Sequence, residues 1–194
     1  MSRESALKSF GMTNMLLEAD LDEIEQKYQI DLGRSLGQGS RIEDAYYPQF
    51  DASLRAEAKR MAKHYEIFYC LEKSIRQLIV DVFEETGDKE WWESLVPEAV
   101  KQNVQKSVKR EKEAAVTPRS TDPIDYTTFG ELGEIIKSNW SLFGGVVFKE
   151  IKAMEKVMSA LNSLRNPIAH CSPLADDEVL RLELTLRDWF RIIS

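Results

Sequence analysis

The chain has few of the residues that build metal centres, disulfide frameworks and membrane spans. Its 194 residues include only two cysteines and two histidines, and Cys70 and Cys171 do not form a metal-ligand pattern. No apolar run approaches the roughly 20 residues that a membrane-spanning helix needs. The opening residues, MSRESALKSF, lack the apolar core of a signal peptide. We therefore predict a cytoplasmic protein with reduced cysteines, no metal, no cofactor and no membrane association.

The sequence also lacks strand-like alternation, internal repeats and a phosphate-binding loop. Gly33, Gly37 and Gly39 lie close together, but no Gly-Lys-Ser/Thr follows them and no strand precedes them. These glycines fall in a polar stretch, residues 31–50, whose composition is typical of a linker or irregular arm.

Apolar residues instead recur at helical spacing. One row predicts a long buried helix over about 51–85, and it contains Leu54, Ala58, Met61, Tyr65, Phe68, Ile75, Ile79 and Val82. Further rows predict an amphipathic helix over 12–28, a short helix after Asp125, a helix over about 146–165 and a terminal helix capped by Ser172 or Asp176. We predict an all-α antiparallel helical bundle over 51–194, preceded by an N-terminal helix and arm over 1–50.

The end of the 146–165 helix carries the most informative residues. Its apolar row steps through Met154, Met158 and Leu161 to Arg165, and a buried cation is costly unless it is paired or forms part of a site. Pro167 disfavours a continuing helix, so we expect the helix to end or kink near Arg165. His170 follows, and histidine is the residue type most often used for proton transfer at physiological pH. A guanidinium suited to phosphate and an imidazole suited to proton transfer thus lie five positions apart.

Two interpretations of this pair are open from spacing alone. Cations near a helix end often stabilise the terminal carbonyl groups, which would make Arg165 and His170 structural. The alternative is a site that acts on a phosphodiester. Cys171 beside His170 also raises the option of a thiol nucleophile, but adjacent residues seldom align as a catalytic pair.

The run RNPIAH, from Arg165 to His170, resembles the Arg-x4-His signature of the HEPN superfamily (higher eukaryotes and prokaryotes nucleotide-binding domains). Other blocks of the chain agree in order: HYEIFYCLEKSIRQLI (64–79), the Trp91 region, IDYTTFGELGEIIKSNW (124–140) and RNPIAHCSPLADDEV (165–179). The chain is similar, over about residues 60–192, to the branch named for a eukaryotic nuclear transcript-surveillance endoribonuclease. The resemblance implies a bundle of HEPN type.

The resemblance also implies a metal-independent endoribonuclease. Arg165 would hold the scissile phosphate, His170 would transfer protons, and Asn166 would orient the site. The products would be a 2′,3′-cyclic phosphate and a 5′-hydroxyl. Because one histidine cannot easily serve both proton transfers and His64 lies on another predicted helix, we expect a homodimer that brings two motifs together.

Glu72 and Arg76 are further candidates, since Glu72 falls within the apolar row of the long helix. One interpretation is an intrahelical Glu72–Arg76 pair at the favourable spacing of four. The other is that Glu72 meets Arg165 across the bundle and fixes its orientation, because a buried carboxylate and a buried guanidinium each need a partner.

The net charge of −7 opposes nucleic-acid binding, since an acidic surface repels a polyanion. Residues 101–120 are locally basic, which is compatible with an RNA-guiding surface or with an ordinary solvated helix face. The cations of this segment are Lys101, Lys106, Lys109, Arg110, Lys112 and Arg119.

The leading functional hypothesis is an RNA-cleaving toxin or phage-defence effector, restrained by an antitoxin or regulatory protein. Some toxins of the superfamily carry a modifiable tyrosine two residues after the histidine, whereas this chain has Ser172 there. The alternative is a catalytically inactive HEPN module for dimerisation, nucleotide binding or protein binding.

Overall fold

A computed structural model describes residues 20, 21, 24, 27, 28 and 49–193. Its helices are α1 (Ala52–Glu85), α2 (Trp91–Leu95), α3 (Glu98–Glu113), α4 (Phe129–Ser138), α5 (Trp140–Phe143), α6 (Ile151–Ala169) and α7 (Asp176–Ile192), with a 3₁₀ turn at Pro123–Tyr126. Within the described residues there are two isolated β-bridges but no strand. The all-α prediction is therefore confirmed.

Residues 1–62 and 63–194 form two units, and all residues of the buried hydrophobic cluster belong to the second. The predicted 12–28 helix and 31–50 arm lie mostly outside the described residues. The few described positions between 20 and 28 are helical. The proposed boundary between residues 50 and 51 stays a prediction.

The long α1 was predicted nearly to the residue, but its predicted buried row is partly wrong. Leu54 and Tyr65 are exposed, and Val82 is only partly buried. The buried face of α1 is formed by Phe68, Leu71, Ile75, Ile79 and Phe83. Apolar periodicity located the helix correctly, yet it could not show that the helix begins well before the part that packs on the core.

Helices α4 and α6 pack closely and run antiparallel. A Cβ added at Gly130 would lie 3.7 Å from the Asn162 amide, and one at Gly133 would lie 3.6 Å from Met158 Cε. At the far end of α4, Lys137 Nζ lies 2.8 Å from Glu155 Oε1. The two glycines leave room for the α6 side chains, so α6 sits directly against α4.

Aromatic rings fill the end of the core where α1 finishes and α6 begins. The Phe83 ring lies 5.4 Å from Trp91 and 5.8 Å from Phe143, centroid to centroid. Phe148, just before α6, lies 5.5 Å from the Trp189 ring of α7. Such rings bury large apolar areas. This aromatic cluster packs one end of the bundle, and Arg165 lies toward the other end.

Two predicted helix boundaries require correction. The motif helix spans 151–169 instead of about 146–165. It continues through Pro167, which lies in the last turn and whose carbonyl accepts the closing hydrogen bonds from the His170 and Ser172 N–H groups. The terminal helix has Ala175 at its N-cap, and neither Ser172 nor Asp176 caps it with a side chain. Asp176 is instead the first residue of α7, where its negative charge interacts favourably with the helix dipole.

No helix among the described residues is both long enough and apolar enough to cross a membrane.

We predict that Thr128→Ala lowers the free energy of unfolding by about 1 kcal/mol. Thr128 begins α4 with a capping box, in which its hydroxyl accepts from the Glu131 N–H and Glu131 Oε2 accepts from the Thr128 N–H at 2.7 Å. Urea denaturation measures the change. Thr128→Ser keeps the hydroxyl and should retain most of the stability. Equal losses in both variants would contradict the capping role.

Candidate active site

Arg165 lies on the core-facing side of α6, one turn beyond Leu161. Its Nε donates to Glu72 Oε2 on α1 at 3.0 Å. The Arg165 side chain is 30% exposed, whereas Glu72 is 14% exposed. The guanidinium is thus anchored from inside the bundle, while part of the Arg165 side chain still faces solvent.

Glu72 also pairs with Arg76 on its own helix, through Oε1 and Arg76 Nη2. Both contacts that the sequence left as alternatives are therefore present, one on each carboxylate oxygen. A carboxylate can accept from two guanidinium groups in this way because it has several lone pairs. Glu72 consequently bridges two arginines and ties α1 to α6.

Backbone carbonyls fix the other side of Arg76. Its Nε donates to the Ile124 carbonyl at 3.2 Å, and its Nη2 donates to the Thr127 carbonyl at 2.8 Å. Arg76 is only 12% exposed, so these bonds satisfy donors that water does not reach freely. The 3₁₀ turn before α4 therefore belongs to the arginine–carboxylate cluster, which we define as Glu72, Arg76 and Arg165.

Sequence reasoning missed the part played by this turn. Its contribution comes from main-chain carbonyl groups, which every residue carries, so no side-chain pattern could have identified them. The block IDYTT at 124–128 stood out in the sequence only as part of one of the blocks that carry the family resemblance.

Asp125 adds a carboxylate beside the cluster. Burial alone would raise the pKa of Asp125, but a hydrogen bond from Ser120 and the nearby Lys73 ammonium outweigh it, and the pKa lies below its usual value. Lys73 Nζ is 3.4 Å from Asp125 Oδ1. Asp125 is thus ionised at neutral pH and paired with a lysine.

His170 is the C-cap residue of α6. Its backbone N–H reaches the Asn166 and Pro167 carbonyls at 3.1 Å, and the Ser172 N–H donates to the Pro167 carbonyl at 2.8 Å. Cys171 has a φ of 55°, the left-handed conformation that closes a Schellman motif. The sharp turn holds the backbone of His170 while its side chain stays exposed.

The structure brings some predicted site residues together and leaves others apart. Glu72, Arg76 and Arg165 are in contact. Within the described part of the chain, the side chains of Asn166 and His170 make no hydrogen bond. Both are exposed at the end of α6, where they are free to meet a ligand or another subunit.

Three of the six cations of the locally basic segment are paired with carboxylates, one of which is Glu98, just before the segment. Lys101 lies 3.1 Å from Glu98, Lys109 lies 3.7 Å from Glu113, and Arg119 pairs with Glu111. These pairs favour the interpretation as a solvated helix face, because a paired cation attracts phosphate less than a free one.

Among the described residues, no group of three or more histidine, cysteine or acidic side chains has the geometry of a metal site. The all-α fold of the described residues is consistent with that of a HEPN domain. The Swt1-like HEPN family matches residues 66–194, and the chain belongs to that family. No curated protein and no solved structure matches the chain.

We predict that Glu72→Ala lowers the free energy of unfolding by about 2–4 kcal/mol, because it leaves two partly buried guanidinium groups without their carboxylate. Urea denaturation measures the loss. Glu72→Gln keeps an acceptor and should lose less.

Glu66→Gln is the matched control, since Glu66 is an exposed carboxylate on the same helix. It should change stability by no more than about 0.5 kcal/mol. A Glu72→Ala variant as stable as this control would show that the bridge contributes little.

We predict that Cys171→Gly raises the free energy of unfolding by about 0.5–1 kcal/mol, because glycine adopts the left-handed conformation without the Cβ clash. Cys171→Ala keeps the clash and should show no such gain. A gain in both variants would mean that the thiol, not the backbone, is unfavourable. Thermal unfolding at matched protein concentration distinguishes these outcomes.

Proposed function

We propose that this protein is a metal-independent endoribonuclease of HEPN type. The observation that carries the proposal is a partly exposed Arg165, anchored by Glu72, in a chain of the Swt1-like HEPN family. An anchored guanidinium can stabilise a developing phosphorane charge without reorganising. Membership in the family and the arrangement of the cluster support this activity together.

In the proposed reaction, Arg165 binds the non-bridging oxygens of the scissile phosphate. His170 takes the proton of the ribose 2′-hydroxyl, and the resulting oxygen attacks the adjacent phosphorus. The bond to the 5′-oxygen breaks, and that oxygen takes up a proton. The products are a 2′,3′-cyclic phosphate and a 5′-hydroxyl, and Asn166 orients the phosphate during the step.

The proposed reaction needs a proton acceptor and a proton donor. His170 and Asn166 are both exposed at the end of α6. We propose that two subunits place these residues against their counterparts across a two-fold axis, so that one imidazole accepts a proton while the other donates one. The exposure of His170 favours this arrangement, because a buried imidazole could not reach across an interface.

The biological setting that fits such activity best is a toxin or phage-defence effector, held inactive by an antitoxin or regulatory protein. Ser172 occupies the position where a modifiable tyrosine occurs in some toxins of the superfamily, so the proposed restraint works through binding instead of tyrosine modification.

A catalytically inactive HEPN module is the second candidate. One observation favours it: within the described residues, no hydrogen bond connects the His170 side chain to Arg165 or to any other group. An inactive module would use the same bundle to dimerise or to bind a nucleotide or a protein.

We predict that the purified protein cleaves single-stranded RNA in the presence of EDTA, leaving ends with a 2′,3′-cyclic phosphate. Arg165→Ala and His170→Ala should each reduce the rate by about 100-fold or more, since each removes charge stabilisation or proton transfer. Gel analysis of an end-labelled RNA measures both the rate and the chemistry of the ends.

Arg187→Ala controls for loss of an exposed arginine, and His64→Gln for loss of the other histidine. Both should retain near wild-type cleavage. If His64→Gln is as inactive as His170→Ala, His64 and not a second His170 supplies the other proton transfer. Intact RNA with wild-type protein under varied salt, pH and RNA sequence would favour the inactive module.

We predict that the two-subunit site makes His170→Ala dominant. When wild-type and His170→Ala chains are co-expressed in equal amounts, the mixture should have only about one quarter of the activity of the same total amount of wild-type protein, if mixed dimers are inactive. Independent subunits would retain about half. Light scattering on the same sample establishes whether the protein is a dimer.

A further inference from the structure

Two exposed tyrosines continue the face of α1 that carries Glu72. Tyr65 is 61% exposed and Tyr69 is 57% exposed, and their ring centroids lie 6.3 Å apart with a tilt of 38°. They are the only large apolar or aromatic residues of the second unit's part of α1 that are exposed. We call Tyr65 and Tyr69 the tyrosine pair.

The tyrosine pair is aligned with the arginine–carboxylate cluster. Tyr65, Tyr69, Glu72 and Arg76 are spaced by four, three and four residues, which places them along one side of the helix. At a rise of about 1.5 Å per residue, the backbone of Tyr69 lies roughly 4.5 Å along the helix axis from that of Glu72, and the backbone of Tyr65 lies roughly 10 Å from it.

The direction of α6 places its end on the tyrosine side of Glu72. The Phe148 ring, just before α6, lies 6.5 Å from Phe143, which itself contacts Phe83 near the end of α1. Further along α6, Arg165 reaches Glu72 near the middle of α1. Helix α6 therefore runs opposite to α1, and its residues after Arg165 continue toward the Tyr65 end.

We infer that the tyrosine pair is a stacking platform for the nucleobases of single-stranded RNA next to the scissile phosphate. The inference deepens the proposed function and rests on it. A chain with a net charge of −7 cannot rely on general electrostatic attraction to hold a polyanion. Base–aromatic stacking supplies affinity that does not depend on charge, and exposed tyrosine rings provide the required π faces.

A second protein copy fits the tyrosine pair less well than nucleobases. A stable interface buries about 800 Å² on each partner. Two tyrosines bury at most about 500 Å² together. Charged neighbours interrupt the surface around the pair, since Lys63 and Glu66 are exposed on the same stretch of α1. A small platform of two rings matches one or two bases.

The test measures binding separately from cleavage. The probe is a fluorescein-labelled oligouridine of about 12 nucleotides with 2′-O-methyl groups, which cannot be cleaved because the attacking hydroxyl is blocked. Fluorescence anisotropy in EDTA gives the Kd for the full chain. The double variant Tyr65→Ala/Tyr69→Ala should bind about 5- to 150-fold more weakly than wild type. The double variant Tyr65→Phe/Tyr69→Phe keeps both rings and should bind within about 3-fold of wild type.

Phe190→Ala is the matched control, because Phe190 is 66% exposed on α7 and next to Trp189, which packs at the opposite end of the core. It should leave the Kd unchanged. An oligonucleotide of the same length without bases should bind wild type and the double alanine variant equally, since only stacking is removed.

Two results would overturn the platform: equal affinity of wild type and the double alanine variant for the probe, or a change from dimer to monomer in the alanine variant by light scattering. The second result would assign the pair to a protein interface. Loss of binding in the alanine variant together with no cleavage of ordinary RNA by wild type would support the platform while contradicting the proposed endoribonuclease.

Discussion

The bridge from Glu72 to two arginines is the interaction on which the candidate site depends. Glu72 Oε1 pairs with Arg76 on the same helix, and Arg76 in turn binds the turn before α4. Glu72 Oε2 pairs with Arg165 near the end of α6. A partly buried carboxylate between two guanidinium groups leaves the cluster with excess positive charge. That excess is oriented toward solvent through Arg165, the most exposed of the three side chains. An acidic protein thereby keeps a defined anion-attracting point.

The helical architecture could be predicted from apolar periodicity because buried helices repeat their contacts every three or four residues. The bounds of α1 follow from that repeat. The exposure of Tyr65 could not be predicted, since periodicity shows which residues share one face of a helix but not whether another helix packs against that face. The same limit explains Pro167: its ring opposes a helix interior, yet the last turn tolerates it when a capping motif supplies the closing hydrogen bonds.

The candidate site was predictable to the extent that charge on an apolar stripe demands a partner. Arg165 and Glu72 each stood out for this reason, and they contact each other. The carbonyl groups of Ile124 and Thr127 could not be predicted, because every backbone offers the same acceptor. The side-chain position of His170 also could not be read from spacing, since it depends on a left-handed residue at Cys171 that is not glycine.

The proposed cleavage of a phosphodiester involves two tasks, which fall on different residues near the end of α6. Charge stabilisation requires a fixed group, and Arg165 is fixed by a neighbour from another helix. Proton transfer requires an imidazole that reaches the substrate, and His170 extends from the helix end with no partner of its own among the described residues. An unrestrained imidazole is a poor general base until something positions it. If a second subunit or the RNA supplies that restraint, the proposed cleavage would depend on assembly, and a regulatory protein that blocks assembly would prevent it.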